Sequence, residues 1–173
     1  VLRHPHVFKN KSIASASEQT DAWEDQKASE RSLSSQPGAN STLGGIAKNL
    51  PALLRAYKLQ KRAARVNFDW PTVEGALDKL KEEIEELEVE ISSTNKSKNR
   101  EAVIEEIADV IFSAANVARK MDIDPEAALR KGNKKFEKRF RYVEEMLFSD
   151  GKKPKDATLE EMEYYWQEAK ARG

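Results

Sequence analysis

The chain has 173 residues, and its composition excludes several classes of protein. Lys and Arg together number 30, as do Asp and Glu, so the net charge is zero, whereas nucleic-acid-binding proteins usually carry a basic excess. There is no cysteine, which excludes disulfides and thiolate chemistry. No apolar run approaches the roughly 20 residues that cross a bilayer, and no signal peptide opens the chain. We therefore expect a cytoplasmic protein that binds neither nucleic acid nor membrane.

The N-terminal third differs in composition from the rest. Residues 10–48 are rich in Ser, Ala, Asn and Gly, which indicates a linker, with a short helix around Thr20–Arg31. A helical domain is expected over residues 49–173. The chain begins with Val instead of Met, which suggests a piece of a longer protein.

Helical periodicity begins at Pro51, a residue suited to the first turn of a helix, and a first helix is predicted from there to about Val66. Residues 67–71 predict a turn. The next helix has the clearest pattern in the chain, because its apolar positions step by 4, 3, 4, 3 and 4 and so form one seam. These positions are Val73, Leu77, Leu80, Ile84, Leu87 and Ile91.

Three more helices follow a polar loop at residues 92–96. The first of these helices is predicted over residues 100–121. The second begins at Asp124-Pro125 and ends near Phe148. Thr158 and Glu161 have the spacing of a capping box and open a short last helix. No segment alternates with period two, so the predicted fold is an all-α helical bundle.

The helix after residue 72 carries an unusual concentration of acid. Six glutamates lie between Glu82 and Glu90, and like charges one turn apart cost about 0.2–0.5 kcal/mol per pair. Glu83 and Glu86 flank the apolar seam, so they are expected to face a neighbouring helix. The alternative is an acid-rich face in solvent.

The helix predicted over residues 100–121 concentrates its polar groups on one side. All other directions are apolar, so the helix is expected to be buried in the bundle, and its polar stripe must be hydrated, paired or part of a site. Basic partners from the following helix are the alternative. Between residues 103 and 118 the stripe consists of Glu105, Glu106, Asp109, Ser113 and Asn116.

Paired carboxylates on these two helices indicate a metal site. Glu82-Glu83-x-x-Glu86 and Glu106-x-x-Asp109 offer oxygen donors alone, which favour Mg²⁺ or Mn²⁺ over zinc. A di-iron bundle would need Glu-x-x-His elements. The two histidines, His4 and His6, lie far from the acids in the sequence, which excludes that interpretation.

The helix opened by Pro125 is basic. Lys131, Lys135 and Arg139 are successive i,i+4 neighbours and form one stripe that is able to bind phosphate oxygens. A solvated face paired with acidic neighbours is the alternative. RNA binding is disfavoured by the zero net charge and by the absence of interleaved exposed aromatic residues.

Four segments together resemble the MazG nucleoside triphosphate pyrophosphohydrolases, over residues 50–170 and in the family's order. They are Phe68-Asp69-Trp70-Pro71, the Glu-Glu-x-x-Glu run, Glu106-Ile-Ala-Asp109 with the apolar residues after it, and Asn133 to Phe140. The resemblance implies an all-α bundle that forms a homodimer and binds Mg²⁺, with Mn²⁺ as an alternative. It further implies that residues 1–9 are the remnant of a preceding MazG domain.

The resemblance also implies an activity, the hydrolysis of nucleoside triphosphates to monophosphate and pyrophosphate. Broad base tolerance, as in the house-cleaning of nucleotide pools, is implied with it. The matching metal ligands are Glu83, Glu86, Glu106 and Asp109. Lys135 and Arg139 match the residues that contact phosphate, Lys131 extends their stripe, and Trp166 and Lys170 match positions near the nucleotide.

Several alternatives stay open from the sequence. Glu82 or Glu105 is expected to act as the general base or to orient a ligand, and the sequence does not choose between them. A relative specific for dUTP or phosphoribosyl-ATP is one other function. A non-catalytic helical dimerisation module is another, and it predicts that Mg²⁺ leaves the melting temperature unchanged.

Overall fold

The computed structural model describes residues 41–92 and 99–173, and all regular structure in these ranges is helical. Five α-helices follow one another, and a single 3₁₀ turn, Pro154–Asp156, precedes the last of them. The all-α prediction is therefore confirmed for the described residues. The predicted linker helix at Thr20–Arg31 and the remnant at residues 1–9 lie outside them. The helices are α1 (Ala52–Ala64), α2 (Val73–Ser92), α3 (Asn99–Lys120), α4 (Pro125–Ser149) and α5 (Leu159–Ala171).

The chain divides into two compact units between Val117 and Ala118. In the first unit, the Gln60 side chain of α1 donates a hydrogen bond of 2.8 Å to the Phe112 carbonyl of α3. Ala56, Ala76 and Ala115, one residue from each helix of the unit, are buried. Small side chains at these positions let the helices approach closely.

The second unit is built on the packing of α4 against α5. Val143 and Leu147 are each 1% exposed, and Ala169 of α5 is buried as well. The predicted helix starts are confirmed here, because the Asp124 carboxylate accepts hydrogen bonds from two backbone N–H groups of the first turn of α4. Thr158 and Glu161 form the predicted capping box of α5.

Three helices end in the same way, with a residue in the left-handed conformation. Asn67 after α1, Asp122 after α3 and Gly151 after α4 have φ values of 66°, 55° and 72°. In each case the next N–H reaches back to a carbonyl in the last turn of the helix, as in a Schellman motif. Asn67 and Asp122 place an ordinary side chain where glycine is the usual residue.

An aromatic side chain packs against the start of α2. Trp70 covers Gly75 so closely that a Cβ at that position would lie 3.2 Å from the indole Cε3. The absence of a side chain at residue 75 therefore lets the indole rest on the first turn of α2.

The apolar face of α3 differs from the expectation. The helix was expected to be buried, but Ile104, Ile107, Ile111 and Phe112 are 42–49% exposed in the single chain. Leu77, Ile84 and Ile91 of α2 are similarly exposed, at 41–63%. The reason is that the described residues of the first unit cover only part of each apolar face. No helix among the described residues is both long and apolar enough to span a membrane.

Candidate metal and nucleotide site

Carboxylates of α2 and α3 converge within the first unit. One carboxylate oxygen each from Glu83, Glu106 and Asp109 lies within 4.8 Å of the other two. We call these three residues the acidic cluster. Glu83 is buried, with 8% of its side chain exposed, whereas Glu106 is half-buried and Asp109 exposed. One side of the cluster is therefore open to solvent.

Glu86 stands beside the cluster and is not one of its three members. Its side chain is exposed and shares a hydrogen bond with Glu83, one turn earlier on α2. That hydrogen bond, partial burial and the charges of Glu83 and Glu106 raise the pKa of Glu86. Negative charge is therefore crowded around Glu86.

Glu106 shows the same crowding. Burial raises the pKa of its carboxyl group, and the negative charges of Asp109, Glu83, Glu90 and Glu105 raise it further. A carboxyl group surrounded by other acids is stabilised by a cation. The site therefore has the electrostatics that a divalent ion would relieve.

The spacing of the oxygens also fits such an ion. In an octahedral Mg²⁺ site, neighbouring oxygens lie about 3.0 Å apart and opposite oxygens about 4.2 Å apart, since each Mg–O bond is about 2.1 Å long. The observed limit of 4.8 Å exceeds both separations, so the three oxygens would move closer together on binding one ion. Small side-chain rotations would bring all three oxygens onto one ion, and the all-oxygen donor set suits Mg²⁺ or Mn²⁺.

Sequence reasoning missed one residue of this site, Lys79. Its ammonium lies 2.9 Å from Glu83 Oε1 and 2.7 Å from Glu82 Oε1. Hydrogen bonds to Glu82 and Glu83 raise the pKa of Lys79 well above its usual value. The sequence spacing could have predicted this ion pair, since Lys79 and Glu83 are i,i+4 neighbours on a predicted helix. The basic partner of Glu83 thus comes from its own helix.

The two candidates for the general base differ in their surroundings. Glu82 is exposed and is tied through Lys79 to Glu83. Glu105 is exposed on α3, next to Glu106, and its charge contributes to the raised pKa of Glu106. Both stay predictions.

The predicted nucleotide-contacting residues lie in the second unit, on α4 and α5. The Arg139 guanidinium carbon lies 6.0 Å from the centroid of the Trp166 ring, a distance typical of a cation–π contact. Phe136 adds a tilted ring 5.3 Å from Trp166. The structure therefore brings Arg139 and Trp166 together. Lys131, Lys135 and Lys170 are exposed side chains on the same two helices.

Comparison with known proteins supplies the family. Residues 72–143 match the MazG nucleotide pyrophosphohydrolase domain. The chain is 41% identical to the nucleoside triphosphate pyrophosphohydrolase of Escherichia coli K12, over 97% of the chain and 62% of that protein. It is 36% identical to the nucleoside triphosphate pyrophosphohydrolase/pyrophosphatase MazG of Thermotoga maritima, over 98% of the chain and 61% of that protein.

A third relative is the uncharacterized protein YabN of Bacillus subtilis, which is 41% identical over 98% of the chain and 33% of its own length. The chain thus spans less than two thirds of each of these relatives. The matched domain contains Glu83, Glu106 and Asp109, together with Lys135 and Arg139. Residues 72–143 are therefore a MazG nucleotide pyrophosphohydrolase domain, and the similarity to the E. coli and T. maritima proteins extends over nearly the whole chain.

Proposed function

We propose that this chain hydrolyses nucleoside triphosphates between the α and β phosphates, with Mg²⁺, to give a nucleoside monophosphate and pyrophosphate. The observation that carries the proposal is the acidic cluster, whose oxygens lie within 4.8 Å of one another in a MazG domain. The names of the E. coli and T. maritima relatives support the same reaction. We further propose broad base tolerance and action in the cytoplasm.

Glu83, Glu106 and Asp109 are the proposed metal ligands, with Glu86 as a fourth. The interaction of Glu86 with Glu83, one turn earlier on α2, supports its inclusion. A bound Mg²⁺ would neutralise the polyphosphate and lower the pKa of an attacking water. Glu82 or Glu105 would then accept the proton of that water or orient a neighbouring ligand.

The second unit is proposed to bind the nucleotide. Arg139 offers a planar guanidinium for phosphate oxygens, and its guanidinium carbon lies 6.0 Å from the centroid of the Trp166 ring. Lys131, Lys135 and Lys170 add exposed ammonium groups, and the Trp166 ring offers a surface for stacking. Charge developing on the phosphates during the reaction would be stabilised by Lys135 and Arg139.

A homodimer is the proposed assembly. The exposed apolar side chains of α2 and α3 support it, because solvent-facing rows of Ile and Leu usually mark an interaction surface. A second copy of the chain would bury them.

The decisive experiment is a panel of nucleoside triphosphates with product-resolved detection, run with and without Mg²⁺. Pyrophosphate and monophosphate should form only with the metal, from several bases. Release of orthophosphate in place of pyrophosphate would contradict the mechanism. Turnover of dUTP or phosphoribosyl-ATP alone would identify a narrow-specificity enzyme. A non-catalytic module would show no turnover and no effect of Mg²⁺ on the melting temperature.

Glu106→Gln tests the metal ligands directly. Loss of one charged oxygen from the acidic cluster should reduce turnover by at least about 100-fold, because the site would bind the catalytic metal ion more weakly. Glu101→Gln, an equal charge change on the exposed first turn of α3, is the matched control and should retain turnover. Equal losses in the two variants would rule out a specific role for Glu106.

A further inference from the structure

Lys79 occupies a position that the proposed reaction leaves unexplained. Its ammonium bonds at once to Glu83, a proposed metal ligand, and to Glu82, a candidate base. The Glu83 side chain is only 8% exposed, while that of Lys79 is 33% exposed. A buried carboxylate needs a charged or hydrogen-bonding partner, and Lys79 supplies one within the same helix.

The charges around the cluster show why this partner matters. Glu83 belongs to the acidic cluster, whose three carboxylate oxygens lie within 4.8 Å of one another. Glu86, one turn after Glu83 on α2, adds a fourth carboxylate to this region. Lys79 places one positive charge against these carboxylates through its ion pair with Glu83.

We propose that Lys79 is the internal counter-ion of the acidic cluster, neutralising Glu83 in the metal-free chain and yielding that carboxylate to an arriving divalent cation. Glu82 keeps the ammonium when Glu83 is released to the ion. The inference rests on the metal site of the proposed function, and it adds a residue that sets the affinity of that site.

The physical basis is competition between two cations for one carboxylate. If the ammonium kept its place, an ion bound to the same oxygen of Glu83 would lie no more than about 5 Å from it, given a Mg–O bond of about 2.1 Å and the 2.9 Å ion pair. Repulsion between charges at that separation weakens binding about tenfold even in water. A polyphosphate bound to the ion would offset this repulsion. The site would therefore take up a metal–nucleotide complex more readily than the free metal.

Lys79→Met provides the test, and Lys81→Met is its matched control. Lys81 lies two residues away on α2 and pairs instead with Asp78, at 2.8 Å, where both side chains are largely exposed. In EDTA, Lys79→Met should lower the melting temperature by about 3–5 °C, while saturating Mg²⁺ should remove most of the difference. In the absence of nucleotide, it should bind Mn²⁺ about tenfold more tightly than the unmodified chain, as measured by electron paramagnetic resonance.

Lys79→Arg keeps the charge and should behave like the unmodified chain in both measurements, and Lys81→Met should change neither. If Lys79→Met lowers the melting temperature equally in EDTA and in Mg²⁺, or weakens Mn²⁺ binding, the counter-ion role is wrong. The same holds if Lys79→Arg matches Lys79→Met. If neither the unmodified chain nor Lys79→Met binds Mn²⁺, the metal site of the proposed function itself is wrong.

Discussion

Individual carboxyl groups of this chain are held in opposite electrostatic states. Burial and neighbouring acids raise the pKa of Glu106 in the first unit. In the second unit, the pKa of Glu161 is lowered by a hydrogen bond from Lys152 and by the backbone N–H of Thr158. Ionisation of Glu161 therefore stabilises the fold, whereas ionisation of Glu106 opposes it.

The pH dependence of stability should reveal the contribution of Glu161. Because its folded pKa lies below the ordinary value of 4.5, the stabilisation is present above about pH 4.5 and is lost as the pH falls through the folded pKa. Urea unfolding at pH 6 and pH 3.5 measures it. Glu161→Gln should lose less stability between these pH values than the unmodified chain. An identical loss in the two proteins would contradict the assignment.

The sequence predicted Glu83, Glu86, Glu106 and Asp109 as one group. In the structure, carboxylate oxygens of three of them, Glu83, Glu106 and Asp109, lie within 4.8 Å of one another. Their role as ligands stays a prediction. Helical spacing was sufficient to find them because both helices are long and regular. Lys79 was missed because only the repulsion among the glutamates was considered. Whether a nearby lysine pairs with one of them depends on the rotamer that the lysine adopts.

At the scale of helices, the ends depend on a few backbone conformations. The Asp124 cap and the Thr158–Glu161 capping box were predictable, since their side chains bond to N–H groups at fixed sequence offsets. The left-handed residues Asn67 and Asp122 were not predicted. Asn and Asp adopt several turn conformations, so residue type alone does not identify this one.

Asp122→Gly should stabilise the protein. A left-handed conformation costs a non-glycine residue about 1–2 kcal/mol, and the entropy that glycine adds to the unfolded chain offsets about 0.4–1 kcal/mol of the gain. The expected net increase in unfolding free energy is about 0.5–1 kcal/mol, measured by urea denaturation. Gly151→Ala, at a φ of 72°, is the converse change and should destabilise. A loss of stability in Asp122→Gly would show that its side chain matters more than its backbone strain.

At the scale of the molecule, the all-α fold and the MazG family were both predictable from sequence. Periodicity identifies helices, but it does not say whether an apolar face is covered by the same chain or by another. This is why α3 was expected to be buried and is instead half-exposed along Ile104, Ile107 and Ile111.

Ile107→Glu tests whether a second copy covers this face. Ile107 is 43% exposed on α3, and a buried charge there would oppose association. Light scattering after gel filtration should show a dimer for the unmodified chain and a monomer for the variant. Leu159→Glu, at a 77% exposed position in the second unit, is the control and should stay dimeric. A monomeric unmodified chain would overturn the assembly.

The placement of the tryptophans gives each unit its own optical probe. Trp70 rests on Gly75 in the first unit, and Trp166 lies beside Arg139 and Phe136 in the second. Trp23 lies outside the described residues, and Trp23→Phe would remove its emission. Keeping one of the two remaining indoles at a time would then give fluorescence signals that report separately on the first turn of α2 and on the junction of α4 with α5. Denaturation followed with each probe would establish whether the two halves melt in one step or in sequence.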